Sequence, residues 1–407
     1  MKRKTWFWAL TPVAVALSLY GCGNGSDSDL AVDNNAQSCS VVSGTGSAVV
    51  VGSGLPGDPA APEAASGYRL GYKAKQSSNY MVVANTPLAT KAGCDVLKAG
   101  GTAVDAAVAV QAVLGLVEPQ SSTIAGSAFM MYYDAANKKV VAYDGRETAP
   151  AAATGYYLAR QDQSNASSPA PVPSARRSGR SIGVPGVMRM LDMAHKEHGK
   201  LAWAPLFDEG IRLASSGYKI PGRMGDAIRT NAANLQLDAN AVAAYFNADG
   251  TPKTTGTVTT NLPYAQSLRT LATGGADAMY SGPLAEAIVA KAAQSVGDDV
   301  AKTPITPSLM TVTDLKNYQA KKREPVCTTY RSSYYICTMS PPSSGGIAIA
   351  QSLGILENFD LSQYGPTNPS NEGGVPSVMG VHLVSEAQRL AYADRDKYVA
   401  DTDFIPL

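Results

Sequence analysis

Residues 103–117, AVDAAVAVQAVLGLV, constrain the fold most, because they are helix-compatible, small, and apolar on nearly every face. A helix of that kind has no side that tolerates water, so it belongs in a core. The chain has the material for one: 407 residues at 45% hydrophobic content suffice for one large domain or two ordinary ones. A formal net charge of +1 gives no basic excess that would point to nucleic acid. Beyond the N-terminal leader no apolar run is long enough to cross a bilayer, so small molecules or protein are the expected partners.

Around this helix the chain alternates between short strands and helices. Residues 81–84 read as a strand; Thr86 then caps a helix with Pro87 in its first turn, which ends at Gly100-Gly101, where a positive φ is needed. Strands are expected at 129–133 and 140–143 around a turn at 134–139, and further helices at 205–215, 283–295, 314–320, 346–356 and 381–397. Segment 161–180 is polar and rich in Pro and Ser, which predicts an exposed insertion. Mixed elements without an internal repeat indicate an α/β or α+β body.

The first residues address the chain to a compartment. Lys2, Arg3 and Lys4 precede an apolar run from Trp6 to Leu19 and then Gly21-Cys22, the layout of a bacterial export signal over 1–21. Leu19-Tyr20-Gly21-Cys22 also has the form of a lipobox, with Cys22 as the lipidated mature N-terminus and ordinary cleavage as the alternative. Residues 22–77 are expected to be a Gly, Ser and Pro-rich tether, which makes the protein exported and anchored through lipid in the bacterial cell envelope or periplasm. The glycines at 52–57 do not form a dinucleotide site, because Pro56, Pro59 and Pro62 forbid the helix that would follow.

Of the other cysteines, Cys39 lies in the tether and Cys94 in a helix, and sequence does not decide whether they are free. Cys327 and Cys337 flank a turn centred on Ser332 between strands 325–330 and 334–339, so they face each other across a hairpin and are expected to form a disulfide. Other chemical signals are weak. His195 and His198 lie three apart among Lys196, Glu197 and Lys200 without an acidic third ligand, which reads as a solvated face; His382 is isolated. Thr259-Thr260-Asn261 reads as a turn. No metal site and no cofactor is expected.

Six strings occur in an order that is more telling. They are Met81-Val82-Val83-Ala84 with Pro87-Leu88-Ala89; Gly100-Gly101-Thr102-Ala103-Val104-Asp105-Ala106-Ala107; Asp144-Gly145-Arg146-Glu147-Thr148-Ala149-Pro150; Gly183-Val184-Pro185-Gly186; Pro342-Ser343-Ser344-Gly345-Gly346; and Ala391-Tyr392-Ala393-Asp394-Arg395. In this order, residues 78–407 resemble the large-subunit part of the gamma-glutamyltranspeptidases. The resemblance implies an α+β, four-layer αββα sandwich of the N-terminal-nucleophile hydrolase type, here without its small-subunit half. It also implies a precursor that cuts itself before a threonine, which then passes a gamma-glutamyl group from glutathione or a related compound to water or an amino acid. That threonine is expected downstream of Leu407, in the chain's own C-terminal small subunit, so no catalytic residue is expected within the 407 residues and the chain alone is expected to be inactive. Arg146 matches the family's arginine for the donor's α-carboxylate, which a guanidinium holds with both oxygens at once. An ion pair with Glu147 is the purely structural reading of the same residue.

Pro341 to Gly346 reads as a rigid strand-to-helix connection, and Asp394 and Arg395 as a pair within the last helix. One departure is Ala125-Gly126-Ser127-Ala128, where the family has a glycine run; the extra β-carbons would narrow the space beside Arg146. Two other functions remain open: a cephalosporin-acylase-like amidase on the same fold, against which Arg146 argues, and a truncated, non-catalytic envelope protein.

Overall fold

Thr86 and Thr102 start the two helices on which the rest of the body is built. The computed structural model describes residues 39, 76–370 and 373–405. The 1–21 leader, Cys22 and most of the 22–77 tether lie outside the described residues. Thr86 accepts from the Ala89 N–H at the head of helix Pro87–Lys98. Thr102 and Asp105 form a capping box at the head of helix Ala103–Val117. Between them Gly100 takes φ +88, the left-handed turn expected there.

Helix Ala103–Val117 is buried over most of its length, from Val104 to Val117, because it separates two apolar clusters. Val104, Val108 and Ala112 face one cluster, with Tyr143, Met188, Met190, Leu268 and Tyr280. Ala109, Val113, Leu116 and Val117 face the other, with Leu213, Tyr218, Ile220 and Met224. An amphipathic helix would leave one of these clusters open to water, which is why this segment carries no polar stripe.

The main sheet has three antiparallel strands, with Lys139–Gly145 in the middle, Ala128–Asp134 on one side and Lys321–Arg323 on the other. Tyr143, opposite Met130 and Lys322 in the register, is fully buried. Helix Val187–His198 covers the sheet with Met190, Leu191 and Ala194. It approaches so closely that a Cβ on Gly186 would lie 2.1 Å from the Tyr318 hydroxyl and 2.2 Å from the Gly145 carbonyl, so only glycine fits. Of the layered sandwich implied by the resemblance, the described residues supply this sheet and the helices packed with it, within the mixed α+β class expected.

The hairpin Val326–Tyr330 and Tyr334–Thr338 pairs Cys327 opposite Cys337, and the two sulfurs are joined. Arg331 and Ser332 turn it with φ 50 and 53. A second disulfide joins Cys39 to Cys94, settling the pair that sequence left open.

Several expectations need correction. Residues 81–84 have no ladder partner among the described residues and Val83 is 83% exposed, so an apolar run by itself did not make a strand. His195 and His198 are not on a solvated face: His195 sits 3.3 Å from the Asp105 carboxylate and His198 stacks on Tyr132, because both lie on the inner side of their helix. Thr259 is no turn residue but the buried member of a short strand, Val258–Thr259, paired with Tyr218–Lys219. Asp394 and Arg395 do not pair with each other, because each has another partner: Asp394 accepts from Gln351, and Arg395 donates to Ser344 and to Asp396. Both thereby hold the last helix, Val378–Tyr398, against helix Gly345–Leu356. The connection into that helix is as tight as expected, with a Cβ on Gly346 falling 1.9 Å from the Met339 carbonyl.

Candidate active site

Arg146 is the first residue beyond the middle strand, and the backbone around it is fixed from both sides. Its N–H donates to Asp144 Oδ1 at 2.8 Å, and its carbonyl accepts from the Tyr318 hydroxyl at 2.7 Å. Asp144 is 5% exposed and is itself held by Arg323 Nε at 2.6 Å. Arg323 in turn grips Asp403, which Lys321 Nζ also meets at 2.8 Å. The hydrogen bond from Arg323, aided by Lys321, lowers the Asp403 carboxyl to about 2. These charges form one brace from the sheet edge to the foot of Arg146.

The Arg146 side chain is half exposed and carries a contact to Glu147 Oε1 at 3.1 Å. The ion pair that sequence offered as the structural reading is therefore present, yet it engages only Nε and leaves the outer edge of the guanidinium facing a cleft. That cleft has a volume of about 400 Å³ and runs from Arg146 past Thr148 and Pro150 to Tyr157, Arg180, Ile182, Pro342 and Asp401. Residues 146–150 are tied across it by the Val184 N–H, which donates to the Thr148 carbonyl at 2.9 Å. The Ala125 and Ser127 β-carbons do not narrow the cleft, because both residues face outward and neither lines it; Gly126 instead gives its carbonyl to the Gly186 and Val187 N–H groups.

Arg180 was missed in the sequence, where segment 161–180 read as exposed. The segment is exposed over its first ten residues, but its end turns inward, leaving Ser178, Gly179 and Arg180 buried. A short 3₁₀ turn, Gly179–Ser181, is pinned by the Gly179 N–H donating to the Thr306 carbonyl at 2.9 Å. Arg180 then lies over the Tyr157 ring with its guanidinium carbon 4.5 Å from the centroid, and its Nη2 donates to the Gln161 carbonyl at 2.8 Å. The clue was the Arg180 to Gly186 run itself, which leads a cation directly into a tight backbone crossing.

Chemically, the cleft is suited to holding anions by two guanidiniums. It presents no nucleophile and base pair among the described residues: Ser181 Oγ donates to the Ser178 carbonyl, and none of the three histidines lines it. Thr259 lies elsewhere, with its hydroxyl taken by Lys253 Nζ at 2.8 Å.

A model of the gamma-glutamyltranspeptidase family matches residues 89–407. The chain is 34% identical to a glutathione hydrolase proenzyme of Bacillus subtilis (strain 168) over 80% of its own length and 51% of the relative's. It is 33% identical to an acylase ACY 1 proenzyme of Pseudomonas sp. (strain V22), over 82% of its length and 56% of the relative's. The chain therefore spans about half the length of the curated relatives it matches. Among solved structures, the Helicobacter pylori gamma-glutamyltranspeptidase is similar with a TM-score of 0.71 at 31% identity, covering 82% of this chain and 88% of that one.

Proposed function

Because the chain belongs to the gamma-glutamyltranspeptidase family, we propose that it forms the donor-binding part of an enzyme that cleaves the gamma-glutamyl amide of glutathione and related compounds. The gamma-glutamyl group would pass to water or to an amino acid. The position of Arg146 carries this reading: a guanidinium with a free outer edge, on a backbone fixed by Asp144 and Tyr318, at the mouth of a cleft large enough for a small peptide. Such a fork takes the donor's α-carboxylate with two parallel hydrogen bonds and so fixes where the γ-carbonyl lies.

No residue of this chain is assigned as nucleophile. We place the attacking threonine, with its own freed amine as base, in a small subunit that would be the chain's protein partner, and the naming of the Bacillus subtilis relative as a proenzyme supports this. We further assign 1–21 to an export signal, Cys22 to lipid attachment, 22–77 to a tether and 78–407 to the large-subunit region. The basic and apolar leader supports this, and the two disulfides suit an oxidising envelope compartment. Intact mass of the native protein tests it: a mature form beginning at Cys22 with added acyl mass is expected, and an unmodified Cys22 removes the anchor.

The activity is tested on the full natural protein with gamma-glutamyl-4-nitroanilide as donor. Wild type should release nitroaniline, and Arg146→Gln should raise KM by about 100-fold with little change in kcat, the loss of a charge-assisted fork. The similarity to an acylase keeps a second reading in play. Hydrolysis of an acyl amide that lacks the α-amino acid end, without release from the gamma-glutamyl donor, would establish that reading; turnover of neither would point to a non-catalytic envelope protein.

A further inference from the structure

Arg180 is a cation that the mechanism above does not use. It is 95% buried, since only 5% of its surface is exposed, and its Nε and Nη1 have no hydrogen-bond partner. Among the described residues no carboxylate forms an ion pair with it; its neighbours are the Tyr157 ring and the Gln161 carbonyl. A desolvated, unpaired guanidinium is costly, and an anion supplied by a ligand relieves that cost. The side chain belongs to the wall of the same cleft as Arg146. The cleft of about 400 Å³ is also lined by Glu147, which engages Arg146 Nε, and by Asp401, so Arg180 is the lining cation with no carboxylate on it among the described residues, and a ligand with a second negative group supplies one.

We propose that Arg180 is a second carboxylate anchor, which takes the C-terminal carboxylate on the amine half of the substrate while Arg146 takes the α-carboxylate on the acyl half. This rests on the gamma-glutamyl reading and deepens it: preferred donors are peptides whose amine half ends in a free carboxylate. The same group is present whether that half departs from a donor or arrives as an acceptor, so both should be selected alike.

The test uses two ligands that differ only in this group, S-methylglutathione and its C-terminal amide, each with the scissile N–H replaced by CH₂ so that binding alone is read. Calorimetry on the full natural protein should show the acid binding about tenfold or more tighter than the amide. Arg180→Gln should bring that ratio close to one, Arg180→Lys should keep part of it, and Arg146→Gln should weaken both ligands alike. Equal binding of acid and amide by wild type overturns the proposal whether or not any variant folds. So does a preference that survives in Arg180→Gln, or an Arg180→Gln loss that is the same for both ligands. If wild type binds neither ligand, the gamma-glutamyl reading itself fails and takes this one with it.

Discussion

Asp105 shows how much one buried carboxylate can organise. It is fully buried and accepts from the Thr102 N–H at 2.8 Å, closing the cap of helix Ala103–Val117, and from the Lys200 and Leu201 N–H groups at 3.0 and 3.2 Å. His195 approaches it from the neighbouring helix. Removing the carboxylate orphans several buried donors together with a cap, so Asp105→Ala should cost about 3 kcal/mol, read from urea denaturation. Asn should recover part of that loss and Ala none. Asp144 does the same kind of work for the proposed donor site, since it joins Arg323 to the Arg146 backbone. Asp144→Ala should therefore raise KM for a gamma-glutamyl donor by about tenfold, a smaller effect than loss of Arg146 itself, because the guanidinium stays but its base loosens. A KM unchanged within twofold would show that Tyr318 alone positions the residue.

Among the elements, those with a local signal were legible and those decided by distant partners were not. Helix Ala103–Val117 appeared in the sequence with its observed bounds, because its composition leaves no other stable environment. The hairpin was legible from β-branched and aromatic residues on both sides of a short turn. Helices Gly222–Leu235 and Leu262–Gly274 gave no such signal: Gly, Asn and Thr interrupt their apolar spacing, and packing of Met224 and Leu268 into the two clusters holds them. Residues 81–84 failed in the opposite way, since a strand needs a neighbour that composition does not provide. Arg146 was legible because its surrounding string is distinctive, whereas the burial of Arg180 depends on Tyr157 and Thr306, far away in sequence. The hairpin also gives a measurable element-scale effect. The Cys327 and Cys337 link closes a short loop, so Cys327→Ser paired with Cys337→Ser should lower stability by about 2–3 kcal/mol, and reductant should destabilise wild type more than the double variant, in which only the Cys39 to Cys94 bond is left to break.

At the scale of the molecule, the brace of Arg323, Lys321 and Asp403 ties residues near the end of the described chain back to the main sheet. The Asp403 carboxyl is lowered to about 2 in the folded state, chiefly by the hydrogen bond from Arg323, against an ordinary value of 3.8. A lowered carboxyl adds stability that is fully present above its unfolded value and is lost as pH falls toward the folded one. Wild type should then exceed Asp403→Asn in melting temperature at pH 5 to 7, and the gap should close between about pH 4 and 2. A gap that persists at pH 2 would mean that packing, not charge, joins these segments. The Cys39 and Cys94 bond sets a different property of the whole, its reach. With lipid at Cys22 as proposed, the body is moored at Cys39, and the leash from the membrane can extend no further than about 60 Å. Without that bond the leash would run to the start of the body near residue 78, about 190 Å at full stretch. One thiol pair would thus decide whether the cleft meets only peptides beside the membrane or those across the depth of the envelope.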